Sequence, residues 1–112
     1  MKLIFTALTL ILAAPYLGQA GEKMSDAEIK QKLLGYWHSP RHGYEYTSDG
    51  VMHMLGGTTT SHWDIRNGVY YEGFRPFDIV TLTANKFVYR DRGRDHLVYT
   101  LQRISKEEAA RY

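Results

Sequence analysis

Leu33-Leu34-Gly35-Tyr36-Trp37-His38-Ser39 is the stretch on which the reading of the fold turns. Before it the apolar residues keep a helical spacing; after it they alternate with period two. Residues 24 to 35 carry nearly every helix-terminal signal. Ser25 is placed as N-cap, Glu28 completes a capping box, and Met24 and Ile29 flank the cap as a hydrophobic staple. Asp26 and Glu28 suit the positive end of the helix dipole, while Lys30 and Lys32 lie further along. Glu28 and Lys32 form an i,i+4 pair, and Gly35 is expected at C′. Ile29, Leu33 and Leu34 make only a narrow apolar stripe, so this helix, about 25–34, should lie against something larger.

From Tyr36 onward, turn signals separate short alternating runs, the pattern of an all-β sandwich or barrel. The expected strands are Tyr36–Ser39, Tyr44–Thr47, Val51–Leu55, Thr59–Ile65, Val69–Phe74, Phe77–Thr83, Phe87–Asp91 and His96–Ile104. Ser105 to Tyr112 reads as a short helix or a frayed tail. Register follows from the turns. A three-residue loop at Ser48-Asp49-Gly50 pairs Tyr46 with Met52 and Tyr44 with Met54, leaving Glu45 opposite His53 on the other face. At Arg66-Asn67-Gly68 a three-residue loop pairs Trp63 with Tyr71 and His62 with Glu72. A two-residue Asn-Gly turn would set Trp63 against Glu72, and burial of the aromatic pair favours the longer loop. The resulting interior is Trp37, Tyr44, Tyr46, Met52, Met54, Trp63, Ile65, Tyr71, Leu97, Tyr99 and Leu101.

A short helix followed by Gly35-Tyr36-Trp37 resembles the G-x-W opening of lipocalins and other small calycin-type barrels. Arg103, near the end of the last expected strand, resembles the arginine that in such barrels packs over the first-strand tryptophan. The Asp49-Gly50 turn and the Leu82-to-Arg90 segment are similar to small bacterial exported domains called lipocalin-like. The likeness spans residues 25 to 104. It implies an all-β fold of about eight short antiparallel strands in a meander, closed at one end by Gly35, Trp37 and Arg103. A barrel of eight strands holds its own side chains or one small ligand. Fold likeness carries little about function.

Residues 1–20 read as a signal peptide: Lys2, the apolar run Leu3 to Ala14, Pro15, then small residues before cleavage near Ala20. That predicts a periplasmic or secreted protein, a single domain over 21–112, and no membrane span in the mature chain. With Lys2 removed, 13 basic side chains face 12 acidic ones, which argues against nucleic acid as partner. Cysteine is absent, so an exported domain of this size must rely on its packed core rather than on disulfides.

Five histidines and the Met52-His53-Met54 triplet raise the question of copper or zinc. Alternation, however, sends the methionines to one face and His53 to the other. No serine sits in a nucleophile elbow, and the strand carboxylates are single. The expectation is a monomeric, non-catalytic binding module without a cofactor. Its ligand would be a small apolar or aromatic molecule at the open barrel end, lined by Tyr44, Tyr46, Met54 and Tyr71. The alternatives are a protein-binding inhibitor or envelope interaction protein using the loop with Arg90, Arg92 and Arg94, and periplasmic metal handling.

Overall fold

A computed structural model describes residues 24–93 and 95–112; the expected signal peptide and Arg94 lie outside the described residues. The element order is α1 (Asp26–Leu33), β1 (Gly35–His38), β2 (Gly43–Tyr46), β3 (Val51–Met54), β4 (Thr60–Arg66), β5 (Val69–Glu72), β6 (Arg75–Leu82), β7 (Lys86–Asp91), β8 (Val98–Ile104) and α2 (Lys106–Ala109). The eight strands form an antiparallel meander, and β1 pairs with β8 to close the barrel. Closure leaves no sheet edge to aggregate. Among the described residues no helix is long and apolar enough to cross a membrane.

Helix α1 begins as its sequence predicts, with the reciprocal Ser25–Glu28 capping box in place. It ends differently. Leu34 is already extended, and Gly35 is the first residue of β1 at φ +117° rather than a left-handed helix cap. The orphaned carbonyls of the last turn are taken by side chains from the barrel. Trp37 Nε1 donates to Leu33 O (2.9 Å), Arg103 donates to Leu34 O (2.8 Å), and its other terminal nitrogen donates to Lys32 O. Arg103 Nε reaches Ala84 O in the β6–β7 loop (2.6 Å), and the guanidinium carbon lies 4.2 Å from the centre of the Trp37 ring. One arginine thus ties the helix end, the last strand and a loop over the buried tryptophan.

Ser48-Asp49-Gly50 forms the expected three-residue connection, with Gly50 at φ +82° and Tyr46 opposite Met52. The next β-hairpin differs from expectation. Arg66 pairs with Val69 across a two-residue turn, and Trp63 stands opposite Glu72. Asn67 (φ 52°) and Gly68 (φ 77°) both adopt the left-handed region, as a type I′ turn requires. The Asp26 carboxylate fixes that turn by accepting from Asn67 N and Gly68 N, each at 2.8 Å. Trp63 loses nothing by this register. Its ring meets Tyr46 edge-on at 5.4 Å, and its Nε1 donates to Thr47 O. The shift of one residue exchanges the faces of β5. Tyr70 is buried in the core, whereas Tyr71 lies outside beneath the Arg66 guanidinium, 4.0 Å from its ring centre.

Two more boundaries differ. Gly73 and Phe74 form a two-residue turn, so β6 starts at Arg75 and includes Pro76. Asp95 and His96 have positive φ, which places them in a turn and leaves Leu97 half-exposed outside the last strand. The tail is ordered by a second capping box, Ser105 with Glu108. Tyr112 then returns along the outside of β1 to meet His38 Nδ1 through its hydroxyl at 2.9 Å.

The centre of the barrel is filled by rings. Tyr70 lies 4.9 Å from Tyr89, 5.1 Å from Phe87, 5.6 Å from Phe77 and 6.3 Å from Tyr46, centre to centre. Ile29 and Leu33 of α1 join Trp37 and Leu82 in the same core, so the helix covers one end of the barrel. Because Trp37 is wholly buried and also holds Leu33 O, Trp37→Ala should lower the unfolding free energy by about 3–5 kcal/mol. A denaturant titration checks this, and a loss below about 1 kcal/mol would overturn the central place of Trp37. Asp26→Ala should cost about 1–3 kcal/mol by freeing two turn N–H groups, with amide exchange rising at Asn67 and Gly68.

Candidate binding site

In a meander, successive connections alternate between the two barrel ends. The end away from α1 therefore carries the loops 39–42, 55–59, 73–74 and 92–97. Alternation from the buried core positions decides which side chains face inward near it. Tyr44 shares the inner face of β2 with Tyr46, Glu72 that of β5 with Tyr70, and Arg75 that of β6 with Phe77. Asp91 shares its face of β7 with Tyr89, and Tyr99 its face of β8 with Leu101. Met54 stands opposite Tyr44 on β3.

These groups are linked. The Tyr70 hydroxyl donates to Glu72 Oε2 (2.7 Å) and lies 2.7 Å from the Tyr46 hydroxyl. Since Tyr70 has one proton and gives it to the carboxylate, Tyr46 is the donor to Tyr70. Glu72 also acts on Tyr89 and Tyr44. Burial raises the pKa of Tyr46, Tyr70 and Tyr89 well above the ordinary phenol value, and the negative charge of Glu72 adds to it in each case. Tyr44, half-buried, is raised by burial and then by Glu72. All four phenols therefore stay protonated at neutral pH.

Arg75 stands directly opposite Glu72 in the β5–β6 ladder, yet its guanidinium pairs with Asp91. Asp91 is only 3% exposed and also accepts from Gly93 N at 2.8 Å. That pairing raises the Arg75 pKa, chiefly through the hydrogen bond from Arg75 to Asp91. Arg75 also lies over Phe77, 5.3 Å from the ring centre. Tyr99 stacks on Tyr89 at 5.2 Å with the planes 15° apart, so it extends the internal ring ladder toward the rim.

Of the side chains expected around the ligand, Tyr44, Tyr46 and Met54 share the inner face, with Tyr46 buried in the core and the other two half-buried near the rim. Tyr71 is on the outer wall, which corrects the inward parity expected for it. Glu72, Arg75, Asp91 and Tyr99 complete the inner rim. Glu72, expected outside beside His62, lies inside, and the Asn67-Gly68 turn is the sequence signal for that position. Arg90 and Arg92 do not project freely: both lie on Asp78, Arg92 Nε at 2.8 Å from Oδ1 and Arg90 at 3.9 Å from Oδ2. Among the described residues no three His, Cys, Asp or Glu side chains gather in a group.

A second concave feature lies outside the barrel. A half-open cleft of about 690 Å³ runs between α1 and β4, bounded by Lys30, Gln31, Leu34, Asp49, His62 and Arg66. Asp64 at its floor accepts from Ile65 N and pairs with Lys30 and Arg66, each at 3.4 Å. No protein-family model matches the chain, and no curated protein matches it.

The raised phenols make a pH prediction. Their folded values lie above the unfolded value near 10, so the unfolded chain releases these protons first. Stability should be constant with respect to these groups below about pH 10 and fall as the pH rises above it. Tyr70→Phe should cost about 1–3 kcal/mol at pH 7 by leaving Tyr46 and Glu72 without their partner. The same variant should lose stability less steeply above about pH 10. Urea titrations of both proteins across that range test both statements.

Proposed function

We propose that the protein is an exported, non-catalytic binding module that takes a small molecule across the tyrosine-lined end of its barrel. The supporting observation is the half-buried carboxylate of Glu72 set among tyrosines at the end that α1 does not cover. The closed meander, with Trp37 under Arg103 at the opposite end, resembles lipocalin-type barrels. That likeness favours the uncovered end as the ligand side. The ring-filled core makes the site shallow: the ligand rests on Tyr44, Met54 and Tyr99 above Tyr46 and Tyr70. A single aromatic ring is the size such a rim can hold. The export reading rests on the signal-like residues 1–20.

A second reading is a protein or peptide partner seated in the cleft beside α1. Its volume is within the usual range of binding pockets, and its wall mixes the apolar Leu34 with charges of both signs. Phe74, 98% exposed at the tip of the β5–β6 turn, adds an apolar side chain next to Gly73, which also lines the cleft.

Titration of isotopically labelled protein with small aromatic alcohols separates the two readings. Amide shifts should concentrate at Tyr44, Met54, Glu72 and Tyr99, and Tyr44→Ala should weaken binding about tenfold, or about 1.4 kcal/mol. Shifts confined to Lys30, His62 and Asp64 would favour the cleft, and no shift at the rim would sink the barrel-end reading.

A further inference from the structure

We infer that the tyrosine-lined rim selects a small organic cation, an ammonium carried on a single aromatic or apolar body. This rests on the barrel-end reading above and specifies its ligand. The inference starts from how the charges at that end are paired. Arg75, the residue across the ladder from Glu72, is committed to Asp91. Arg92 and Arg90, on the neighbouring strand and loop, are committed to Asp78. Among the described residues Glu72 therefore has no cationic partner within salt-bridge reach, and its charge is met by tyrosine hydroxyls alone.

Hydroxyl donors stabilise a carboxylate without cancelling its charge. Among the described residues Glu72 is therefore a carboxylate of the inner rim that no guanidinium offsets, set in a partly desolvated wall. An anionic ligand is repelled there. A neutral ring gains only contact area. An ammonium gains attraction to Glu72, and the π-face of Tyr44, close enough to feel that charge, adds cation–π attraction of the kind aromatic cages use for alkylammonium groups. The three tyrosines that surround Glu72 from within, Tyr46, Tyr70 and Tyr89, keep their protons, so their rings carry no charge of their own to alter this balance.

The test uses three probes of one shape at pH 7: benzylammonium, benzyl alcohol and benzoate, each titrated into the intact protein while amide shifts are followed. Benzylammonium is expected to bind at the rim at least tenfold more tightly than benzyl alcohol, about 1.4 kcal/mol, with benzoate weakest. Glu72→Gln keeps an oxygen to accept from Tyr70 and removes the charge; it should bring benzylammonium to within about threefold of the alcohol. Tyr44→Leu, which leaves the Tyr46–Tyr70–Glu72 chain untouched, should weaken the cation more than the alcohol. If alcohol and cation bind the rim equally, or benzoate binds best, the rim remains a ligand site and the cation assignment is overturned. Retention of the preference in Glu72→Gln overturns it as well. If none of the three probes moves rim amides, the barrel-end reading itself fails and the inference falls with it.

Discussion

The guanidinium of Arg103 is the contact on which the rest of the barrel depends. An α-helix leaves its last carbonyls without partners, and α1 ends against the barrel, where Leu33 O is buried away from water. Arg103 takes two of these carbonyls and Trp37 takes the one between them. The remaining guanidinium nitrogen reaches Ala84 O, while the plane covers the Trp37 ring. Partial burial lowers the Arg103 pKa by desolvation, but an arginine starts so high that the charge survives. A lysine ammonium has no planar fork and could not bridge three separated carbonyls while stacking on a ring. The demand reaches back to Gly35. A Cβ at that position would lie 2.6 Å from an Arg103 terminal nitrogen, and the backbone there has φ +117°. Gly35, Trp37 and Arg103 are therefore one device distributed over residues 68 apart in the chain.

That device fixes a division of labour along the barrel axis. At the helix end the core is Ile29, Leu33, Trp37, Leu82 and Phe87, apolar side chains with a single indole N–H already satisfied. From there two buried tyrosine hydroxyls pass a hydrogen bond outward, Tyr46 to Tyr70 and Tyr70 to Glu72. Tyrosine suits this chain because it buries a full aromatic ring while carrying a polar tip that must find a partner. In a chain without cysteine, the continuous ring ladder from Trp37 through Phe87, Tyr70 and Tyr89 to Tyr99 is the cross-barrel cohesion that disulfides supply elsewhere.

Most of the fold was legible in the sequence because its signals are local. The Ser25–Glu28 box, the eight alternating runs and the left-handed requirement at Gly50 each specify structure within a few residues. The Ser105–Glu108 box is equally local and settles a tail that otherwise reads as helix or fray. The candidate site was legible only in part. Tyr44, Tyr46 and Met54 fall on the hairpin whose register is set by Gly50, so their common face was readable. At Asn67-Gly68 the expected burial of Tyr71 competes with turn chemistry, and turn chemistry prevails. Both turn residues occupy the left-handed region, and the carboxylate that anchors them comes from Asp26, 41 residues upstream of Asn67. Because strands alternate, that single step moves Tyr70 and Glu72 inward and Tyr71 outward.

The position of Glu72 can be understood from the relative cost of leaving each rim carboxylate without a cation. Asp91 is 3% exposed, and an uncompensated charge at that depth carries a penalty of several kcal/mol. Glu72 is nearer to water and has tyrosine hydroxyls within reach, so its charge is tolerable without a cation. Arg75 therefore goes to the deeper carboxylate although its ladder neighbour is Glu72. A glutamine at position 72 would accept the same hydrogen bond from Tyr70 without a charge, so the hydroxyl chain alone gives no reason for a carboxylate there. Natural sequences break local rules of this kind chiefly where something other than folding is being served. In this barrel the inner positions follow those rules from the helix end to Tyr70 and depart from them at Glu72, which directs the search for function to the rim and away from the stacked arginine.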